Sequence, residues 1–190
     1  MSERILILVA LSLILVMVAG TSYQMHKPQT VSALHYEQIT KARINVTLPD
    51  VATVDAAGDS KSLASRITRP TAINFWATWC IPCLRELPTM GRFKEMANAA
   101  GVDVITISED KEGAAQSLKL LAEKGVPNLP LLVDADGSVA KVMRVRGLPT
   151  TVIVNAKGEE VGRMEGEADW GDKTSLDSVL KLLEADPLDR

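Results

Sequence analysis

NFWATWCIPCLRELP, residues 74–88, holds both cysteines of the chain, Cys80 and Cys83, three positions apart. Ahead of them, Thr71 to Ala77 is rich in apolar and aromatic residues and reads as a buried strand. Behind them a helix is predicted from about Cys80 to Ala99, with Gly101 as its stop. Cys80 then falls at a helix N-terminus, where free backbone N–H groups and the helix dipole favour its thiolate. Only the thiolate attacks a disulfide. Cys83 lies one turn in, placed to resolve a mixed disulfide. Pro82 suits the first turn, where an N–H has no helical partner to lose. Pro88, further along the same helix, is expected to kink it.

Two other uses of these thiols have less support. A disulfide stabilises more as the loop it closes lengthens, and Cys80–Cys83 closes almost the smallest loop available. A closed zinc site needs four ligands, whereas the chain has two cysteines, and its two histidines, His26 and His35, lie far upstream. No metal site is expected.

The rest of the 190-residue chain sets the context. Hydrophobic residues make up 46%, enough for a core, and the net charge is -3. Positive and negative charges are interspersed with no basic stripe, which excludes a nucleic-acid partner. Ile5 to Ala19 is apolar except for Ser12 and shows no polar face. A membrane span needs about 20 such residues, and Gly20 to Tyr23 extend the run. Arg4 and the amino terminus place that end in the cytoplasm. Residues 1–23 are therefore read as an uncleaved membrane anchor. A cleaved signal peptide is the alternative, with Val18-Ala19-Gly20 as its cleavage site. Both readings put the remainder on the periplasmic or extracytoplasmic side of the cytoplasmic membrane, an oxidising compartment. Residues 24–47 read as a polar stalk with a short helix around Ala33 to Arg43, and residues 48–190 as the folded domain.

Within that domain Val51–Asp55 and Lys61–Leu63 suggest a hairpin around Ala57-Gly58-Asp59. Val102–Ser108 reads as a second buried strand. Glu112–Lys124 reads as a helix with Ala115, Leu118, Leu121 and Ala122 inward, and Leu131–Val133 as a short strand. Gly137–Arg144 reads as a helix. Thr151–Val154 and Glu160–Met164 flank the hairpin signal Asn155-Ala156-Lys157-Gly158, and a last helix runs from about Lys173 to Glu184. The alternation predicts an α/β sandwich around a mixed sheet.

In this setting the cysteine segment resembles the active-site stretch of thioredoxin-fold proteins, and among them the membrane-tethered TlpA/ResA/CcmG group of thiol–disulfide oxidoreductases. The matching residues are Trp76-x-x-Trp79, Cys80-x-x-Cys83, Pro88, and the downstream Gly147-Leu148-Pro149-Thr150-Thr151. The resemblance spans Leu48 to the C-terminus, and Glu109–Asp134 is similar to the strand-and-helix insert of the group. It implies a thioredoxin-like sandwich: a central mixed sheet flanked by helices, with an N-terminal hairpin and a central strand–helix insert. It also implies a cis peptide at Pro149 facing the cysteines, with Leu148 and Thr150 supporting it, against a base rate near 5% for X–Pro bonds. Trp79 is expected at a partner-contact surface, Trp76 in the core, and Trp170 in packing near the last helix.

Two polar positions differ from thioredoxin itself, which resembles this segment but carries a buried aspartate where Asn74 stands. Asn74 cannot accept a proton from Cys83. Glu86 lies three residues beyond Cys83, on roughly the same helix face. It is read as tuning the thiols by its charge or relaying a proton, or as an ordinary exposed helix residue. The function implied is reduction of disulfides in exported clients, either apocytochromes c or copper-delivery proteins of cytochrome oxidase assembly. A membrane donor of the DsbD/CcdA type would restore the dithiol, with no cofactor beyond the redox-active Cys80–Cys83 disulfide. The alternatives are a peroxiredoxin-like peroxide reductase and a non-catalytic thiol- or copper-binding module.

Overall fold

The computed structural model describes residues 38–42, 47, 48 and 50–185. The anchor and most of the stalk lie outside the described residues. The described strands are β1 (Thr40–Lys41), β2 (Ala52–Asp55), β3 (Ser60–Ser62), β4 (Thr71–Trp76), β5 (Asp103–Ser108), β6 (Leu131–Val133), β7 (Thr150–Val154) and β8 (Glu160–Glu165). The helices are α1 (Ile81–Ala99), α2 (Ala114–Glu123), α3 (Ser138–Val142) and α4 (Lys173–Glu184), with a 3-10 turn at Ala64–Arg66. The strands form a single sheet in the order β1-β8-β7-β4-β5-β6-β2-β3. β4 runs parallel to β5 and antiparallel to β7, so the sheet is mixed. Among the described residues no helix is long and apolar enough to cross a membrane.

Side chains alternate across a strand, and β4 shows it. Ala72 and Trp76 join one apolar cluster, with Cys80, Cys83, Phe93, Leu121, Trp170 and Leu182. Ile73 and Phe75 join the other, with Leu63, Ile107, Val139 and Val152. The first cluster is packed by α1, α2 and α4, the second by α3 and the 3-10 turn. The same alternation puts Asn74 on the α1 face. The helix covers that face with a stripe of Cys83, Glu86, Leu87, Met90, Phe93 and Ala97. It runs on past Pro88 without ending.

Two readings are corrected. The stalk helix around Ala33–Arg43 does not extend through its described part: Thr40 and Lys41 pair with Arg163 and Gly162 as an edge strand. The open backbone edge of β8 supplies hydrogen bonds that a local helix would forgo. In α2 the inward face is also rotated. Ser117 and Leu121 are buried, while Leu118 is 39% exposed. Ser117 turns inward because its hydroxyl donates to the buried Asp110 carboxyl at 2.8 Å.

Candidate active site

Cys80 is the N-cap of α1, and its sulfur accepts a hydrogen bond from the Cys83 backbone N–H at 3.3 Å. Pro82 occupies the first turn, as expected. The two cysteines form a disulfide with S–S 2.07 Å. Cys83 is sealed at 1% exposure, whereas Cys80 keeps a small opening at 6%. Trp79 and Ile81 on either side of Cys80 stand out into solvent, at 68% and 66%.

The turn that carries Trp79 and Cys80 is tied from behind by Asp110, which is buried and which the sequence reading missed. Its carboxyl accepts from the Thr78 backbone N–H at 3.1 Å and from the Thr78 hydroxyl at 2.9 Å. Ser108 and Ser117 hydroxyls donate to it as well, each at 2.8 Å. A buried carboxyl costs several kcal/mol unless it is hydrogen-bonded, and this one gathers donors from β5, α2 and the active-site turn. The only trace in the sequence is a pair of acidic residues, Glu109 and Asp110, directly after an apolar strand.

The Leu148–Pro149 peptide is cis. Thr150 lies opposite Phe75 in the β4–β7 register, which brings Pro149 beside the end of β4 where the cysteine turn begins. Leu148 packs against the cluster that contains both cysteines. The Thr150 hydroxyl closes the loop onto Gly147 O at 2.8 Å, and Gly166 N–H donates to Pro149 O at 2.9 Å. Trp79, next in the chain to Cys80, lines a groove of about 310 Å³ together with Glu109, Asp136, Ala140, Val145 and Leu148. A second cavity of about 250 Å³ lies between Gly91 of α1 and Val126 after α2, away from the chemistry.

Glu86 is not an exposed helix residue: it is buried at 3% exposure. Asn74 Nδ2 donates to Glu86 Oε1 and to Thr151 Oγ1, both at 2.9 Å, so the amide spends both its protons. Ala168 N–H donates to Glu86 Oε2 at 3.1 Å. Burial pushes the Glu86 carboxyl up to about 8, against the lowering pull of the Ala168, Trp170 and Asn74 donors. The Trp170 indole N–H has no partner in hydrogen-bond geometry. That ring packs against Phe93 in a tilted arrangement, with centroids 5.1 Å apart and planes at 59°. The alternative of Glu86 as an ordinary exposed helix residue is therefore corrected. At neutral pH, with the disulfide formed, it is mostly a neutral acid holding a proton.

A thioredoxin-like sandwich that presents a bonded Cys-x-x-Cys pair at a helix start defines a thiol–disulfide oxidoreductase. The chain belongs to the AhpC/TSA family, whose profile matches residues 44–159. A thiol-disulfide oxidoreductase ResA from Geobacillus kaustophilus is 26% identical over 148 residues, covering 78% of this chain and 80% of that protein. Among solved structures, a thiol:disulfide interchange protein DsbE from Chlorobium tepidum matches with a TM-score of 0.63 at 24% identity, over 73% of this chain and 96% of that one. Peroxidoxin BcpB from Mycobacterium tuberculosis matches at 0.61 and 22% identity, over 77% and 98%. At these identities the two solved structures speak for the fold alone.

Proposed function

We propose that residues 1–23 anchor this oxidoreductase in the cytoplasmic membrane and that its domain reduces disulfides of exported proteins on the periplasmic or extracytoplasmic side. The observation that carries the reading is the asymmetry of the pair. Cys80 caps α1 at the surface beside exposed Trp79, while Cys83 is sealed one turn before the buried Glu86.

In the reduced protein the Cys80 thiolate attacks one client sulfur. The client S–S bond breaks, a Cys80–client disulfide forms, and the other client sulfur leaves as a thiolate that takes a proton from water. Cys83 then gives up its proton and attacks Cys80 Sγ. The mixed disulfide breaks, Cys80–Cys83 forms, and the second client thiolate departs, so two electrons have passed to the client. Glu86 is the proposed relay for the Cys83 proton: its carboxyl, pushed up to about 8, is matched to a thiol, and the fraction ionised at neutral pH takes the proton that Cys83 releases. Trp79 and the half-buried Leu148 supply the surface on which the client segment rests, with Pro149 and Thr150 buried behind them. The proposed clients are apocytochromes c or copper-delivery proteins, and the proposed electron donor is a membrane protein of the DsbD/CcdA type.

The test is trapping. Cys83→Ser is expected to accumulate a mixed disulfide with a client, and Cys80→Ser to accumulate none; the reverse pattern overturns the assignment. Fast turnover of hydrogen peroxide without disulfide reduction would favour a peroxide reductase. Cu(I) binding by the reduced pair without turnover would favour a copper-binding module. The topology is tested separately by deleting residues 1–21. The shortened protein is expected to be redox-active in vitro and unable to support its pathway in the cell, and full complementation from the cytoplasm would contradict the placement.

A further inference from the structure

One wall of the active-site groove is a segment outside the helices and strands. α3 ends at Val142, and Arg144 turns the backbone left-handed at φ 55°. Val145, Arg146, Gly147 and Leu148 then line the groove up to the cis Leu148–Pro149 peptide. A left-handed residue other than glycine costs about 1–2 kcal/mol, so this exit from α3 persists only if its surroundings hold it.

Arg163 of β8 does so. Its Nη1 donates to Arg144 O at 3.2 Å and its Nη2 to Met143 O at 3.0 Å. These are the carbonyls at the end of α3, where a cation and its donors are favoured. The guanidinium is aimed by Glu160, with Nε–Oε1 and Nη2–Oε2 contacts both at 2.6 Å. The two side chains are only 14% and 8% exposed, which shields the pair from solvent. Arg163 is not among the residues lining the groove. It acts on the wall only through the backbone, while Thr150 and Gly166 fix the far end of the same segment.

We propose that Arg163 is a positioning residue for client recognition: through the carbonyls of Met143 and Arg144 it sets the 145–149 wall against which a client segment lies when its disulfide meets Cys80. This rests on the reductase reading above. The fork of the guanidinium is what matters. A lysine keeps the charge opposite Glu160 but cannot serve a carboxylate and two carbonyls at once in fixed directions.

Arg163→Lys and Arg163→Met, made in the full chain, are compared with wild type on two substrates. One is a peptide closed by its own Cys-x-x-Cys disulfide, long enough to lie along the wall. The other is glutathione disulfide, which reaches Cys80 without it. The KM for the peptide is expected to rise about tenfold, the scale of one charge-assisted hydrogen bond. The kcat, the reduction potential of the pair and the rate with glutathione disulfide are expected to stay as in wild type. An unchanged peptide KM in the folded lysine variant overturns the proposal. So does an equal loss on both substrates or a shifted potential, because the effect would then reach the cysteines. Wild-type protein that reduces neither substrate overturns the reductase reading, and this assignment with it.

Discussion

Two carboxyl groups border the disulfide region, Glu86 on α1 and Glu109 in the groove wall, and both are pushed up to about 8. Burial leads in both, and what acts beside it differs. For Glu86 the largest cause is burial, opposed by donors from Ala168, Trp170 and Asn74, with a minor repulsion from Glu167. For Glu109 burial also leads, but Asp134, Asp136 and Asp110 then add their repulsion. Glu109 Oε1 has no hydrogen-bond partner, whereas both oxygens of Glu86 are occupied. The proton on Glu86 is thus a property of the dry interior next to Cys83. The proton on Glu109 is a property of partial burial reinforced by acidic neighbours, and it sets the Glu109 share of the charge in a groove that also holds Lys111, Asp136 and Arg146.

The largest expected effect follows from the burial of Glu86. Its folded pKa, about 8, lies above the ordinary value of 4.5. Between those two values the folded chain holds a proton that the unfolded chain releases, so stability falls as pH rises through the window. The full drop is on the order of 5 kcal/mol. Glu86→Gln cannot ionise and should lose this share of the slope, keeping the share that Glu109 contributes in the same window. It should also cost about 1 kcal/mol at the acid end, where its amide sets a donor against the N–H of Asn74 or Ala168. Urea unfolding of the oxidised proteins across the window measures both. Parallel slopes for the two proteins would show that Glu86 is not the buried acid described here.

The contrast between the two glutamates also marks how far the sequence could be read. The β4–turn–α1 unit was legible because its signals agree: an apolar run, a pair of cysteines, a proline in the first turn, and a glycine stop. The Pro149 loop was legible only through resemblance, since Leu-Pro-Thr alone does not distinguish cis from trans. The burial of Glu86 was half visible, because it falls on the stripe of Cys83, Leu87, Met90 and Phe93. A stripe position gives the direction of a side chain but not what covers it, and the cover comes from other elements: Asn74 on β4, itself held by Thr151, and Ala168 after β8. Asp110 was illegible for the same reason. Its partners Thr78 and Ser117 lie on separate elements, and the serine it draws inward turned α2 away from the face that its leucines and alanines suggested. The β1 strand is two residues long, and its partner strand lies more than a hundred residues later.

The smaller expected effect separates the two glutamates directly. Asp134→Asn removes the charge that follows burial as a cause of the Glu109 shift. The change is mild for the fold. Asp134 accepts from the Ala140 backbone N–H at 2.8 Å and from the Ser138 hydroxyl at 3.4 Å, and asparagine keeps one oxygen to serve the shorter contact. The Glu109 midpoint should move down, and the Glu86 midpoint should stay, because Asp134 is not among the causes of its shift. Added salt should move Glu109 in the same direction by less, since screening weakens repulsion at a partly exposed site and hardly touches a dry one. Carboxyl carbon NMR titrations of both residues, in both proteins, provide the readout. If Glu109 governs the groove, the pH at which peptide KM changes should fall along with its midpoint. Two midpoints that shift together, or a Glu109 midpoint that ignores both the substitution and the salt, would mean that burial alone sets both protons and that the two regions do not differ as described.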